Sequence, residues 1–210
     1  MIARKTLLRV AAAALAALTL AGCISVLPKT KPAQLYRFGA PPPVEAVARD
    51  GSGPRVGLFK APASFARAVA GDRILTVSGA EASYVARARW MAPAAGLFDE
   101  AAAQAYDANT GPARLVARGE VASADYVLKL DMRNFEAVYE YGPKAAPVVL
   151  VRLRAIVTKT SDRSLAGEQI LEARVKASDN RVGAIVAAFN QATGEVLGKL
   201  VTWTNALPAA

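Results

Sequence analysis

Two stretches of alternating apolar and polar residues lie close together near the end of the chain, separated by a short polar segment. One face of each stretch holds Val149, Val151, Leu153, Ala155 and Val157, and Gly167, Gln169, Leu171, Ala173 and Val175. Alternation with a period of two is typical of half-buried strands, so the pair predicts an antiparallel hairpin. A three-residue loop at 161–163 sets apolar residues against apolar ones, with Leu153 opposite Leu171 and Arg152 opposite Glu172.

Further strands and two helices are predicted upstream and downstream of this hairpin. The additional strands are expected at residues 34–38, 55–62, 73–79, 82–90 and 124–141. In the first, Leu35 and Tyr36 are the expected anchors; in the last, the apolar parity changes after Asn134, which predicts a bulge. Helical spacing predicts a short helix over 93–108 and a closing helix of about 24 residues from Val182, preceded by capping residues at 178–180.

A sheet with one apolar face needs helices to cover it, so this order of elements predicts a single α/β domain with a long C-terminal helix. The domain is expected to span residues 54–205. Proline and glycine residues at 40–53 predict a linker, so residues 23–53 are expected to form a tether and linker in front of the domain.

The N-terminal residues show the three regions of a secretory signal peptide, which is predicted to span residues 1–22. Arg4, Lys5 and Arg9 give a basic start, residues 10–20 are almost wholly apolar, and two small residues follow. The apolar run is shorter than the roughly 20 residues that a membrane-spanning helix needs.

The signal peptide ends in Leu20, Ala21, Gly22 and Cys23, which match the bacterial lipobox. This resemblance to a lipoprotein precursor implies cleavage before Cys23, a diacylglycerol thioether on its sulfur and an acyl group such as palmitate on its new amine. Several acyl chains anchor a protein stably where one does so only marginally. Ile24 follows the cysteine where an aspartate would suggest inner-membrane retention, which favours the outer membrane. A plain signal peptide with an unrelated cysteine is the alternative.

Composition narrows the range of functions. Loss of the signal peptide lowers the formal net charge from +9 to +6, and no run of five like charges occurs, so no nucleic-acid partner is expected. The sequence has no histidine, which excludes Ser-His-Asp and Cys-His nucleophile systems and most transition-metal sites. We therefore expect neither an enzyme nor a resident metal or cofactor.

The ordered set of segments resembles one known family. It comprises the lipobox, the "LYRF" strand, "YVARARWMAPAAGLFDEAAAQAYD", "ADYVLKLDMRNFE", the hairpin "VRLRAIVTKTSDRSLAGEQILEARVKA" and the closing "RVGAIVAAFNQATGEVLGKLVTW". Together these resemble the ABC-type transport auxiliary lipoprotein family, whose known member type is the paraquat-inducible protein C-like lipoprotein. The resemblance implies a mixed sheet of about five strands with packed helices, similar to the anticodon-binding-domain-like fold.

The same resemblance implies partners. It places the chain beside an MCE-type lipid transporter, which consists of an inner-membrane permease, a cytoplasmic ATPase and a periplasmic MCE protein. The sequence has no Gly-x-x-x-x-Gly-Lys-Ser/Thr phosphate loop, so any ATP is hydrolysed by a partner. No catalytic residues carry over from the family. A symmetric homo-oligomer is compatible with this role, since MCE proteins form rings, but nothing in the sequence sets a copy number.

Two groups of residues are candidates for contact with a partner or with lipid. Arg87, Arg89 and Trp90 combine charge with an aromatic ring, as interface anchors do; the alternative is a surface strand edge with Trp90 buried under the helix. Tyr139 and Tyr141 lie at a strand end and form the second group. The acidic pair at 99–100 is explained by the dipole of the helix that starts before it.

Three functional hypotheses follow from these observations. The first is a non-enzymatic auxiliary lipoprotein that docks the MCE protein at the periplasmic face of the outer membrane and assists phospholipid movement. The second is an independent periplasmic lipoprotein that binds a small apolar ligand in a pocket between sheet and helix. The third is an envelope hydrolase with a Ser–Lys or carboxylate pair, which no spacing in the sequence supports.

Overall fold

In the part of the chain that the structure describes, the longest strand of the sheet, at residues 126–138, pairs with four other strands. The computed structural model describes residues 32–39, 55–117, 119–120 and 123–208, and within them the chain forms nine strands and three helices. The strands are β1 (Gln34–Tyr36), β2 (Val56–Lys60), β3 (Ser64–Phe65), β4 (Arg73–Ser78), β5 (Glu81–Trp90), β6 (Ala113–Leu115), β7 (Tyr126–Val138), β8 (Val148–Lys159) and β9 (Leu165–Lys176). The helices are α1 (Arg67–Ala70), α2 (Ala94–Asp107) and α3 (Val182–Asn205).

Strand β7 has two differently occupied edges. Along one edge, β8 pairs with it antiparallel and β9 continues the meander. Along the other edge, β2, β3 and β4 pair in parallel with its beginning, middle and end. β6 lies beyond β2, and β5 followed by β1 lies beyond β4.

The sheet therefore has nine strands, and the expectation of about five is corrected. Three short strands share one position beside β7, so the strand count exceeds the number of positions across the sheet. β3 and β6 have two and three residues, which is too short for an alternating pattern to register. The mixed α/β class and the long C-terminal helix are confirmed.

The hairpin register agrees with the sequence expectation. Leu153 lies opposite Leu171 and Arg152 opposite Glu172. The loop is one residue longer than expected: Lys159 donates its backbone N–H to the Ser164 carbonyl at 2.9 Å, so residues 160–163 form the turn. A register shift between Val157 and Thr158 absorbs the extra residue, and the predicted bulge in β7 lies between Met132 and Asn134.

An aromatic cluster fills the space between sheet and helices. Phe38, Trp90, Phe135 and Phe189 contact one another with ring centroids 4.8–6.2 Å apart. They come from four separate segments, so the cluster joins the chain before the linker to the centre of the sheet and to α3. Burial of rings this large is among the strongest contributions to stability that a core offers.

The first strand and the residues after it are held by this core. Phe38 is the buried anchor, whereas the expected anchor Leu35 is 63 % exposed. Gly39 has a φ of +66°, and a Cβ there would lie 2.5 Å from the Cβ of Ala101, so only glycine fits. Its N–H donates to Asn190 Oδ1 at 2.9 Å. Residues 34–38 thus belong to the domain, and the predicted boundary at residue 54 lies too late. Residues 23–31 and 40–53 of the predicted tether and linker lie outside the described residues.

One helix expectation changes in detail. Asp99 lies beyond the first turn of α2, so the helix dipole does not explain it. Its Oδ1 accepts from Lys60 Nζ at 2.5 Å and from the Ala63 N–H at 3.1 Å, which ties α2 to the chain after β2. No helix among the described residues combines the length and the apolar character required to cross a bilayer.

A buried hydroxyl pair joins α2 to α3 and predicts a pH effect. Burial raises the pKa of Tyr106 to about 12, although its hydrogen bond to Thr204 at 2.9 Å acts in the opposite direction. In the unfolded chain the phenol ionises near pH 10, so the unfolded state loses its proton first and stability falls as the pH rises from about 10 to about 12. This group accounts for roughly 2–3 kcal/mol of that loss.

Tyr106→Phe removes the ionisable group and tests this effect. We expect the variant to lose about 1 kcal/mol at pH 7, where it lacks one hydrogen bond, and to show a flatter decline of the unfolding free energy between pH 10 and 12. Urea unfolding at several pH values measures both. A decline equal to that of the unsubstituted chain would refute the assignment, and Tyr141→Phe is the exposed control.

Candidate functional site

Trp90 belongs to the core and not to a contact surface. It is 2 % exposed, and its ring meets Phe38 and Phe189 edge to face at 4.9 and 5.3 Å. The prediction of a partner or lipid contact at Trp90 is therefore corrected in favour of the buried alternative. β5 ends at this residue. The alternation along β5 does not by itself decide which face of the strand is buried, and the structure places the Trp90 ring on the buried face.

Arg89 has a local structural partner. Its Nη1 lies 3.0 Å from both carboxylate oxygens of Asp72, and both side chains are about half exposed. The N–H of the next residue donates to the Asp72 carbonyl at 2.7 Å, so backbone and side chain fix the same loop. An exposed ion pair of this kind contributes little free energy, and its effect is to hold the start of β4 against the end of β5.

Arg87 differs from its two neighbours in the predicted cluster. It has a φ of +56° and lies in a stretch of β5 where the register with β4 shifts between Arg73 and Leu75. Left-handed backbone in a residue with a Cβ is strained, and bulges re-aim side chains, often at functional positions. The side chain is exposed and forms no ion pair among the described residues. Arg87 is thus the member of the cluster that is free to bind something else.

Tyr139 and Tyr141 follow β7 into the loop at 139–147. The Tyr139 hydroxyl donates to Asn180 Oδ1 at 2.7 Å, and the Asn180 side chain donates to the Pro143 carbonyl at 2.9 Å. The sequence predicts that Asn180 caps α3, but its side chain stabilises this loop instead. Partial burial raises the pKa of Tyr139. Tyr141 is 76 % exposed at the tip of the loop.

The topology brings the β4–β5 turn and the tyrosine loop to one end of the sheet, whereas Arg87 lies towards the other end of β5. The Tyr139 N–H donates to the Val77 carbonyl, so the end of β7 lies beside the β4–β5 turn. The start of β8, the end of β9 and the start of α3 lie at the same end. We call this part the tether end, defined by residues 78–81, 139–147 and 174–181.

A second surface was not predicted from the sequence. Ile170 and Leu165, both on β9, are 62 % and 61 % exposed. Ile170 lines a groove of about 710 Å³ between β9 and α3, together with Glu172, Lys199 and Trp203. We call this surface the β9 groove. Ile170 occupies the polar parity of β9, and an isoleucine among charged residues was the signal that could have identified it.

The outer edge of β9 leaves backbone groups available beside this groove. The odd-numbered residues of β8, up to Val157 and Lys159, form their backbone hydrogen bonds with β9. In an antiparallel pair, the even-numbered residues of β9 then direct their N–H and C=O groups outwards. Lys199 Nζ donates to the outward carbonyl of Glu172 at 2.6 Å. A lysine on an edge strand is a common protection against uncontrolled pairing, and here it leaves the neighbouring groups open.

The open face beside the groove is charged but balanced. Arg152 binds Glu172 at 2.6 Å, as the predicted register requires, and Arg154 binds Glu168 through two hydrogen bonds of 2.7 and 2.9 Å. The hydrogen bond from Arg154 lowers the pKa of Glu168. Because the charges alternate, this face has no strong field of one sign, which leaves the apolar Ile170 as its distinguishing feature.

Within the residues that the structure describes, no three acidic, histidine or cysteine side chains lie close enough to hold a metal ion. The predicted lipidation site at Cys23, with Leu20, Ala21 and Gly22, lies outside those residues.

The family model of the ABC-type transport auxiliary lipoprotein component matches residues 36–201. The chain belongs to this family. The match runs from β1 to the last turns of α3, so the auxiliary lipoprotein domain includes both the tether end and the β9 groove. The comparison with curated proteins gave no match.

Solved structures share this fold. The auxiliary lipoprotein resembles the crystal structure of protein XCC0632 from Xanthomonas campestris, with 26 % identity and a TM-score of 0.68 over 82 % of this chain and 95 % of that one. The hypothetical protein CT253 from Chlamydia trachomatis, 10 % identical, aligns with a TM-score of 0.50 over 73 % of this chain and 97 % of that one. The second likeness shows the fold alone.

Proposed function

We propose that this auxiliary lipoprotein is anchored through Cys23 at the periplasmic face of the outer membrane and docks the periplasmic MCE protein of an ABC-type lipid transport system. The observation that carries the proposal is the family match over residues 36–201. The lipobox supports the anchor, and a transporter with its own permease and ATPase supplies the energy. In this role the chain binds and positions the MCE protein while phospholipid moves between the membranes.

We propose the β9 groove as the docking surface. Two aliphatic side chains that are more than half exposed lie on one strand, and apolar groups at the centre of an interface carry much of its binding energy. The outward backbone groups of β9 offer hydrogen bonds to an extended segment of the partner. Lys199 and Glu172 at the rim supply polar contacts that fix its position.

The second hypothesis, a ligand pocket between sheet and helices, gains no support from this packing. The aromatic cluster occupies that space, with Phe135 and Phe189 rings 4.8 Å apart. A ligand there would have to displace rings that are 0–2 % exposed. Binding of a partner at the surface requires no such rearrangement. Self-association remains a prediction from the sequence.

Ile170→Asp tests the proposed docking surface. We expect it to reduce rescue of a deletion strain at least tenfold, because a buried carboxylate at the interface is unfavourable. Rescue is measured as the restored outer-membrane barrier against detergent. Unfolding free energy should change by less than about 0.5 kcal/mol, since the side chain is exposed.

Met91→Asp is the matched control, because Met91 is 57 % exposed near the opposite edge of the sheet. It should rescue like the unsubstituted chain. Equal rescue by both variants would exclude the β9 groove while leaving the function open. A deletion strain with an intact barrier would count against the proposed function itself.

A further inference from the structure

The direction of β1 shows from which end the described chain enters the domain. β1 runs parallel to β5 and Gln34 lies opposite Ala88, so the residues just before Gln34 enter from the end where β5 begins. The β4–β5 turn lies at that end. Residue 33 therefore leads into β1 from the side of the tether end and not from the turn of the β8–β9 hairpin.

The length of this connection is limited. Cys23 and Gln34 are 11 residues apart in the sequence, which span at most about 40 Å when fully extended. β7 alone has 13 residues, or about 43 Å at 3.3 Å per residue. The connection is thus no longer than the domain, and facing the tether end to the membrane is the arrangement that does not require the connection to fold back.

The chemistry of the tether end suits a lipid surface. Tyr141 is 76 % exposed, and tyrosine has an apolar body and a polar tip that favour the headgroup region. Arg174 pairs with Glu140 and Arg181 with Asp179. Among the described residues of this end, the charged side chains outside ion pairs are two cations and one acid: Lys144, Lys176 and Glu81.

The connection itself continues this charge pattern. Residues 24–33 include Lys29 and Lys31 and no acidic residue. Basic residues next to a membrane anchor are attracted to anionic lipids. From these observations we propose that the tether end rests on the bilayer, with Tyr141 among the headgroups and Lys144 and Lys176 above anionic phosphates. The inference rests on the anchor at Cys23 that the proposed function includes.

This orientation leaves the β9 groove accessible. Ile170 lies at the middle of β9, and Leu165 lies at the far end from the membrane. A partner can therefore reach the groove from the periplasm while the tether end stays on the lipid.

Introduced cysteines test the orientation. Cys23 is the only cysteine and its sulfur carries the lipid, so a single new thiol gives one labelling site. The lipidated full-length mature chain is prepared as Ala80→Cys, at the tether end, and as Ser161→Cys, at the opposite end. Each is labelled with an environment-sensitive fluorophore in nanodiscs of phosphatidylethanolamine and phosphatidylglycerol, and quenching by headgroup-nitroxide lipid is measured.

We expect the label at position 80 to be quenched at least fivefold more than the label at position 161. In the Ala80→Cys chain, Tyr141→Ser with Lys144→Glu should reduce that difference, as should replacement of the anionic lipid with phosphatidylcholine, whereas Arg163→Glu should not. Equal quenching at both positions, or stronger quenching at 161, would overturn the proposal. So would shielding of position 80 that appears only when the MCE protein is added.

The test separates this inference from the proposed function. Co-migration of the chain with nanodiscs reports the anchor, and quenching reports the orientation. A chain that co-migrates without preferential quenching at position 80 refutes the orientation alone. A chain that fails to co-migrate refutes the anchor.

Discussion

Trp90→Ala is expected to lower the free energy of unfolding by about 3–5 kcal/mol. Trp90 is 2 % exposed and contacts Phe38, Phe135 and Phe189, so its removal leaves a cavity that rigid neighbouring rings cannot fill. Phe38 would also lose its main partner, and the N-terminal strand would be held less firmly. Because this loss is a large part of the stability of a typical domain, the variant should accumulate poorly in cells.

Urea unfolding followed by far-ultraviolet circular dichroism measures this effect, since substitution of one of only two tryptophans alters the fluorescence signal. Trp203→Ala is the matched control, because Trp203 is partly exposed and packs over Gly167 at the rim of the β9 groove. We expect a smaller loss there, about 1–2 kcal/mol. A loss below 1 kcal/mol for Trp90→Ala would contradict the assignment of Trp90 to the core.

Cys23→Ser is expected to remove the protein from the outer-membrane fraction, with at least a tenfold loss of recovery. Serine has a similar size but no thiol to form the thioether, so the diacylglycerol and its stabilising insertion into the bilayer are lost. Intact-mass spectrometry should find the lipid on the unsubstituted chain and none on the variant. Ser25→Ala is the neighbouring control and should fractionate normally. Unchanged recovery of Cys23→Ser would refute anchoring through this residue.

The long elements were predictable because each carries many repeats of one pattern. Five apolar residues of β8 occupy alternate positions from Val149 to Val157, and all five are fully buried. Across the hairpin, a shift of one residue would have set the opposite charges Arg152 and Glu172 against apolar groups, so the pattern admitted one register. The same reasoning located the bulge at Asn134, where the parity changes.

The short and irregular parts were not predictable from periodicity. β3 pairs with the edge of β7, and β6 pairs with the first residues of β2. These partners lie far away in the sequence, so the short strands leave no local pattern. The anchoring role of Phe38 depends on Trp90, Phe135 and Phe189 meeting in space. Asn180 looked like a helix cap, but its side chain instead binds the loop after β7.

The candidate site shows the same division. Arg87 and Tyr141 were identified by residue type, and the register places them apart, since Tyr141 follows the end of β7 whereas Arg87 lies level with the start of β4. Trp90 was a candidate contact by residue type, with burial under the helix as the alternative, and it lies in the core. The β9 groove was missed because it needs α3 beside β9, although Ile170 at a polar parity position marked the surface.

The most direct measurement is recovery of the MCE protein with this chain. The affinity-tagged, lipidated chain is isolated from mildly solubilised cell envelopes, and co-purified proteins are quantified by mass spectrometry against a strain that carries an untagged chain. The proposed role predicts that the periplasmic MCE protein is enriched with the tagged chain and that Ile170→Asp reduces its recovery at least tenfold while Met91→Asp does not. An envelope preparation that contains abundant MCE protein, none of which is recovered with the tagged chain, would contradict the proposed role.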